Sequence, residues 1–279
     1  MSEKRSQPVA RMLFGLLILL VIGALWSTNE VRPDNFVMEV PVFTHWQALE
    51  TNWLYALLML FTIAFPLIRS FEPLLDYYRK WRYLLPGGLV IAAIFIGWDI
   101  WFTKVGVWGF NDAYLTGFRP LGLPWEEWTF FIFVPFSCVF IHEALCYYIK
   151  RDLLAPIQQG LTVLLAIFFF AVGFLKWESL YTSTTFLLCG FFNVYHLLFL
   201  KNQPRGRFYL SYLVSFLPFL LVNGALTGGF TQAPVVYYNP EEFFGVRIVS
   251  IPVDDAAYGY LLLMSNFSCY HYFKGRKSA

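Results

Sequence analysis

Two adjacent carboxylates, Glu126 and Glu127, stand in the stretch GLPWEEWTFF (122–131), between a proline and an aromatic run that leads into a long apolar segment. Pro124 suits the first turn of a helix or the turn just before it, so both acids fall in a first turn, where the helix dipole favours carboxylates. One such pair would do no more than start a helix. The pair recurs, however. Residues 111–130 lie over 239–258 without a gap: Asn111 meets Asn239, Gly117 meets Gly245, Arg119 meets Arg247, Pro124 meets Pro252, and Glu126-Glu127 meet Asp254-Asp255. The shared frame is N-x5-G-x-R-x4-P-x-[ED]-[ED], and Phe102-Thr103 meet Phe230-Thr231 at the same offset. Apolar surroundings favour a protonated carboxyl and a neighbouring Arg an ionised one, so a general acid and a general base can be split from like residues. Glu126, Glu127, Asp254 and Asp255 are therefore candidate catalytic groups.

Other residues could serve the same chemistry. Arg119 and Arg247 belong to the two motif loops. Asp99, in GWDIWF, is either an interfacial partner of Lys104 or part of a cavity wall. Most of the aromatic residues, 21% of the chain, are accounted for by interfacial belts and lipid-facing packing. Those near the acids (Trp98, Trp101, Trp108, Trp125 and Trp128) offer faces that would stabilise a carbocation. His142-Glu143 is not HExxH, because position 146 is Cys, and no metal site is expected. Asn193 and His196 read as interhelical hydrogen-bonding groups, and the four cysteines as small packing residues. There is no GxGxxG after a strand, no P-loop and no GxSxG, hence no site for FAD, NAD or ATP. The expectation is cofactor-free chemistry by side chains on a lipid-soluble substrate, with membrane lipids around it and no nucleic-acid partner.

The elements that must position these groups are membrane helices. Hydrophobic residues make up 58% of the 279 and charged residues 14%, with a mean hydropathy of +0.56. An all-α, polytopic membrane helix bundle follows, with eight spans near 10–27, 53–71, 83–102, 128–149, 157–176, 179–200, 208–227 and 256–273. The first span follows Lys4, Arg5 and Arg11 and lacks a clear small-x-small cleavage site, so it is expected to be a retained anchor. With eight spans, 15 of the 20 Lys and Arg fall on one side and five on the other. That bias places both termini in the cytoplasm, in the cell (inner or plasma) membrane. The opposite loops are acidic, with Glu30, Asp34, Glu39 and Glu50 before the second span and the two acid pairs at the ends of the later loops. Both motif copies precede a helix on the same side, so the halves are parallel repeats of three helices about an axis along the membrane normal. The expected divisions are 1–52 for the N-terminal helix and acidic loop, 53–150 and 179–279 for the repeats, and 151–178 for a linker helix.

The stretches DIWFTKVGVWGFNDAYLTGFRPLGLPWEEWTFFIFVPF (99–136) and YYNPEEFFGVRIVSIPVDDAAYGYLLL (237–263) resemble the two signature regions of the membrane-embedded lycopene cyclase family in its fused, single-chain form. The resemblance covers about residues 53–273. It implies cyclisation of the linear ψ-ends of lycopene to β-rings, through γ-carotene to β-carotene. This is a non-redox isomerisation, the work of an intramolecular lyase in carotenoid biosynthesis. An acid protonates the terminal double bond, the cation closes the ring and a base removes a proton, as the acid pairs suggest. The resemblance maps the family's acidic pairs onto Glu126-Glu127 and Asp254-Asp255, and its basic loop positions onto Arg119 and Arg247. It also implies a carotenoid substrate and possible contact with other carotenoid-pathway enzymes. Ala256, Ala257 and Gly259 stand where the first copy has Trp128, Thr129 and Phe131, so the halves are unequal. A cyclase acting on another or elongated carotenoid is one alternative. A transporter or proton-binding protein using the repeated acids is the other, although transporters place such acids near the midplane rather than at loop–helix junctions.

Overall fold

The computed structural model describes residues 3–31 and 43–276. Arg32, Asp34, Glu39 and Lys277, used in the charge argument above, lie outside the described residues. The chain is an all-α bundle of eight helices: α1 (Glu3–Thr28), α2 (Leu54–Arg69), α3 (Trp81–Val105), α4 (Trp125–Tyr148), α5 (Gln158–Leu175), α6 (Leu180–Phe199), α7 (Arg205–Leu226) and α8 (Val253–Arg276). Among the described residues, six of the helices are long and apolar enough to cross a membrane, and α2 is a shorter apolar helix. The protein is an integral membrane protein. Helix α8 is the polar exception, with Asp254, Asp255, Ser265, Asn266 and Ser268 all buried. It can carry them because α3, α4, α6 and α7 pack around it, so its polar groups do not face lipid.

The repeat is visible in the backbone. Strands β1 (Trp108–Phe110) and β2 (Val236–Tyr238) pair antiparallel with Gly109 opposite Tyr237, two positions 128 residues apart and so equivalent in the sequence repeat. An antiparallel ladder centred on equivalent residues is what a two-fold axis through that point generates. The flanking bonds obey it as well: Asn111 N–H donates to Val235 O and Asn239 N–H to Val107 O, both at 2.9 Å. A Cβ on Gly109 would lie 2.6 Å from the Tyr237 ring, so the missing side chain of Gly109 makes room for the tyrosine opposite it. Asn111 and Asn239 accept from the backbone N–H two residues on, and Gly117 and Gly245 share positive φ values of 92° and 87°. The register is not uniform along the chain. The offset of 128 holds through the loops and into α4 and α8. The Phe102-Thr103 to Phe230-Thr231 match does not survive in three dimensions: Thr103 is in α3, whereas α7 ends at Leu226 and Thr231 lies in the loop beyond. A longer connection between α7 and β2 is the cause, and the helical counterpart of Thr103 is Thr227.

Leu121 and Val249, also 128 apart, both adopt left-handed backbone, φ 55° and 60°. For a β-branched residue this is the costlier case. Val249 is exposed, so Val249→Gly removes the strain without removing packing. It is expected to stabilise the protein by up to about 1 kcal/mol after the extra chain entropy of glycine. Thermal unfolding in detergent should show a raised Tm; a lowered one would contradict this account of the loop.

Candidate active site

Each acid pair divides its labour. Glu126 and Asp254, the first members, turn back to their own loops. Glu126 Oε1 accepts from Thr116 N–H (2.9 Å) and Thr116 Oγ1 (2.7 Å). Asp254 accepts from Phe244 N–H (3.1 Å) and Thr182 Oγ1 (2.5 Å). Thr116 and Phe244 are again equivalent, ten residues before their acids. Both carboxyls are fully buried, and each pins the loop that leads into its helix.

The second members, Glu127 and Asp255, face one shared cavity of about 390 Å³, lined mainly by α2, α4, α7 and α8. Tyr55 donates its hydroxyl to Glu127 Oε2. Tyr181 donates to Asp255 Oδ1 at 2.7 Å. Each of these tyrosines is the second residue of its helix, α2 and α6, and follows a leucine. The halves then diverge. On α3, Asp99 lies beside Glu127 in the cavity wall and accepts from Trp108 Nε1 at 2.5 Å and Thr103 Oγ1 at 3.3 Å. On α7 the corresponding residue is Asn223, four before Thr227 as Asp99 is four before Thr103. Asn223 donates to Asp255 Oδ2 at 2.7 Å, and Tyr238 donates to the same oxygen at 2.8 Å. One half therefore presents two neighbouring carboxyls at the cavity. The other presents a single carboxyl that accepts three hydrogen bonds, the bonding of a carboxylate.

Around the acids the wall is aromatic. Trp108 meets Tyr181 edge-on at 5.0 Å, and Tyr181 stacks on Tyr238 at 6.0 Å. Tyr258 packs against Trp98, Trp108 and Tyr181. The Tyr258 hydroxyl is buried without a hydrogen-bond partner, and it shares the cavity wall with Asp99, Glu127 and Asp255. The Tyr238 phenol, in the loop region outside the spans, is held protonated by burial and then by the neighbouring Asp255 carboxylate. It remains a hydrogen-bond donor.

The remaining residues singled out from the sequence lie outside this lining. Arg119 pairs with Asp112 and reaches Phe110 O. Arg247 donates to Ser250 O at 2.6 Å and lies over the Tyr238 and Phe243 rings. Both tie down loops. Trp125 Nε1 donates to Thr116 Oγ1 at 2.6 Å, which reinforces the Glu126 clamp. Trp98 stands behind Tyr258, and Trp101 packs against Trp26 of α1. Trp128 packs against the core without lining the cavity. The motif spacing does not point to Tyr55, Tyr181, Tyr238, Tyr258 or Asn223, which the fold brings to the cavity. The repeated Leu-Tyr, Leu54-Tyr55 and Leu180-Tyr181, was a usable signal, hidden because its offset is 126 rather than 128. Asn223, an amide near the end of an apolar span, was another.

The arrangement suits proton transfer to and from an apolar substrate: acids at the end of a hydrocarbon-lined cavity, with aromatic faces to stabilise positive charge. The family model described as Lycopene cyclase matches residues 52–145 and 178–273, two segments that take in α2 to α4 and α6 to α8. Comparisons with curated proteins and with solved structures returned no match. With both halves of the repeat matched, the chain belongs to the lycopene cyclase family and is a membrane-embedded carotenoid cyclase, an isomerase-type enzyme.

Proposed function

We propose that the protein converts the linear ends of lycopene to β-rings, forming γ-carotene and then β-carotene. The observation that carries the catalytic reading is the convergence of Asp99, Glu127 and Asp255 on a single apolar cavity. The Asp99–Glu127 pair delivers a proton to C2 of the terminal double bond, leaving a tertiary cation at C1. The C5–C6 double bond closes onto C1, and the charge moves to C5. Asp255 takes the proton from C6, which leaves the ring alkene. No electrons are gained or lost, and the product is an isomer of the substrate. Trp108, Tyr181, Tyr238 and Tyr258 stabilise the cation with their ring faces. Glu126 and Asp254 act from behind by holding the loops that orient Glu127 and Asp255. One cavity admits one end at a time, which supports a monocyclic intermediate. The β-ring reading rests on the resemblance of the motif regions.

The charge bias of the loops supports insertion in the cell membrane with both termini cytoplasmic. Expression in bacteria that accumulate lycopene, followed by HPLC of the pigments, tests the reading. γ-Carotene is expected to appear first and β-carotene to accumulate. Unchanged lycopene, with the protein present in the membrane, would overturn it, and rings of another type would overturn the β assignment.

A further inference from the structure

The two-fold axis predicts two lateral seams, one between α2 and α7 and its mate between α6 and α3. They are not alike. At neither seam do the two repeat helices touch closely, α2 and α7 or α3 and α6, so the difference lies in what covers them. The cavity wall at the first seam includes Phe61 and Phe65 of α2, each more than 60% exposed on the apolar outer face of the bundle, and Pro218 of α7, which is also exposed. Thr62 and Ser215 line the cavity just inside. The second seam is covered by α1. Trp26 packs against Trp101 of α3, ring centroids 4.2 Å apart and tilted by 38°, and donates from Nε1 to Thr184 Oγ1 of α6 at 3.1 Å. Leu25 and Ile22 beside it are buried, and Phe14 packs against Phe191 and Phe199 further down α6. Both α1 and α5 lie outside the two family-matched segments, so the cover is an addition to the repeat rather than part of it.

We propose that the α2–α7 seam is a lateral passage from the lipid for the polyene of the substrate, and that α1 seals its symmetry mate. The passage deepens the cyclase reading and rests on it. Along α4 the cavity runs from Glu127 to Ile141, about 21 Å at the helical rise, which is shorter than the ~30 Å hydrocarbon core. One end group and the polyene next to it fill this length, and the rest of the chain leaves between Phe61, Phe65 and Pro218. An all-hydrocarbon occupant fits because this rim carries no charge. After the first ring closes, the chain must withdraw, reverse and return by the same seam for the second.

The test uses the full-length protein in lycopene-containing membranes, with p-benzoylphenylalanine placed at position 61, 65 or 26. Irradiation is expected to attach lycopene at 61 and 65 and not at 26. Attachment at 26 with none at 61 or 65 would place the passage on the sealed side and overturn the proposal, and attachment at none of the three would also overturn it. In parallel, Thr62→Phe and Ser215→Phe, which narrow the passage, are expected to lower lycopene conversion at least ten-fold. Trp26→Ala is expected to leave conversion within two-fold of the unsubstituted protein. Conversion unaffected by both narrowing variants would again overturn the passage. Attachment at 61 and 65 without ring formation by the unsubstituted protein would sink the cyclase reading and leave the passage standing; ring formation with attachment at 26 alone would do the reverse.

Discussion

Glu127→Gln is expected to slow ring closure by about 10²- to 10⁴-fold, the range for loss of a general acid. The change is close to isosteric. A glutamine oxygen still accepts from Tyr55, whose hydroxyl reaches Glu127 Oε2, and the amide can still donate to Asp99. What disappears is the carboxylic acid beside Asp99 and with it the proton that the proposed mechanism delivers. The variant should accumulate in the membrane like the unsubstituted protein and leave lycopene linear. Glu126→Gln is the matched control. The Glu126 carboxyl accepts through Oε1 from Thr116 N–H and Oγ1, and a glutamine oxygen does the same. Its effect is expected to stay within about ten-fold, carried through the loop it pins. Pigment conversion at equal protein level measures both. Full activity in Glu127→Gln would remove the acid from the account. Loss in Glu126→Gln equal to that in Glu127→Gln would show that the first member of the pair does more than hold its loop.

Asp255→Asn carries the second large effect. Three donors meet this carboxyl: Tyr181, Asn223 and Tyr238. An amide in its place turns an NH2 group toward at least one of them. The tyrosine hydroxyls can rotate, so the fold loses about 1–3 kcal/mol rather than collapsing. The chemistry loses both the proton acceptor and the negative charge that faces the cation, and about 10²- to 10³-fold in rate is expected, in line with the removal of one preorganised electrostatic group. Conversion per folded protein, with folding scored by size-exclusion in detergent, separates the two effects. If Asp255→Asn lost stability alone, the base would have to be sought elsewhere in the cavity.

Much of this was legible in the chain. Hydropathy and the bias of Lys and Arg fixed eight helices at nearly the bounds observed. The frame N-x5-G-x-R-x4-P-x-[ED]-[ED] located the repeat, because the loops that carry it keep one register in both halves. Spacing did not show that adjacent acids point in different directions. Residues 126 and 127 differ by about 100° around a helix; only the fold shows which of them meets the cavity and which meets Thr116. The sequence does not distinguish an interfacial Asp99 from one in a cavity wall, since one acid near a helix end looks the same in both cases. The aromatic wall was assigned to tryptophans near the acids in sequence. Tyr181, Tyr238 and Tyr258 come instead from α6, β2 and α8, brought together by the two-fold axis.

The central claim is that a carboxylic proton of the protein enters the ring. Enzyme exchanged into D2O, supplied with lycopene at less than one end per site and analysed by mass spectrometry, tests it most directly. Under single turnover the proton delivered is the one the acid pair held beforehand, whatever later becomes of the proton removed from C6. The account predicts one deuterium in each ring formed, so the monocyclic product is one mass unit heavier than in H2O. A product of unchanged mass would contradict it.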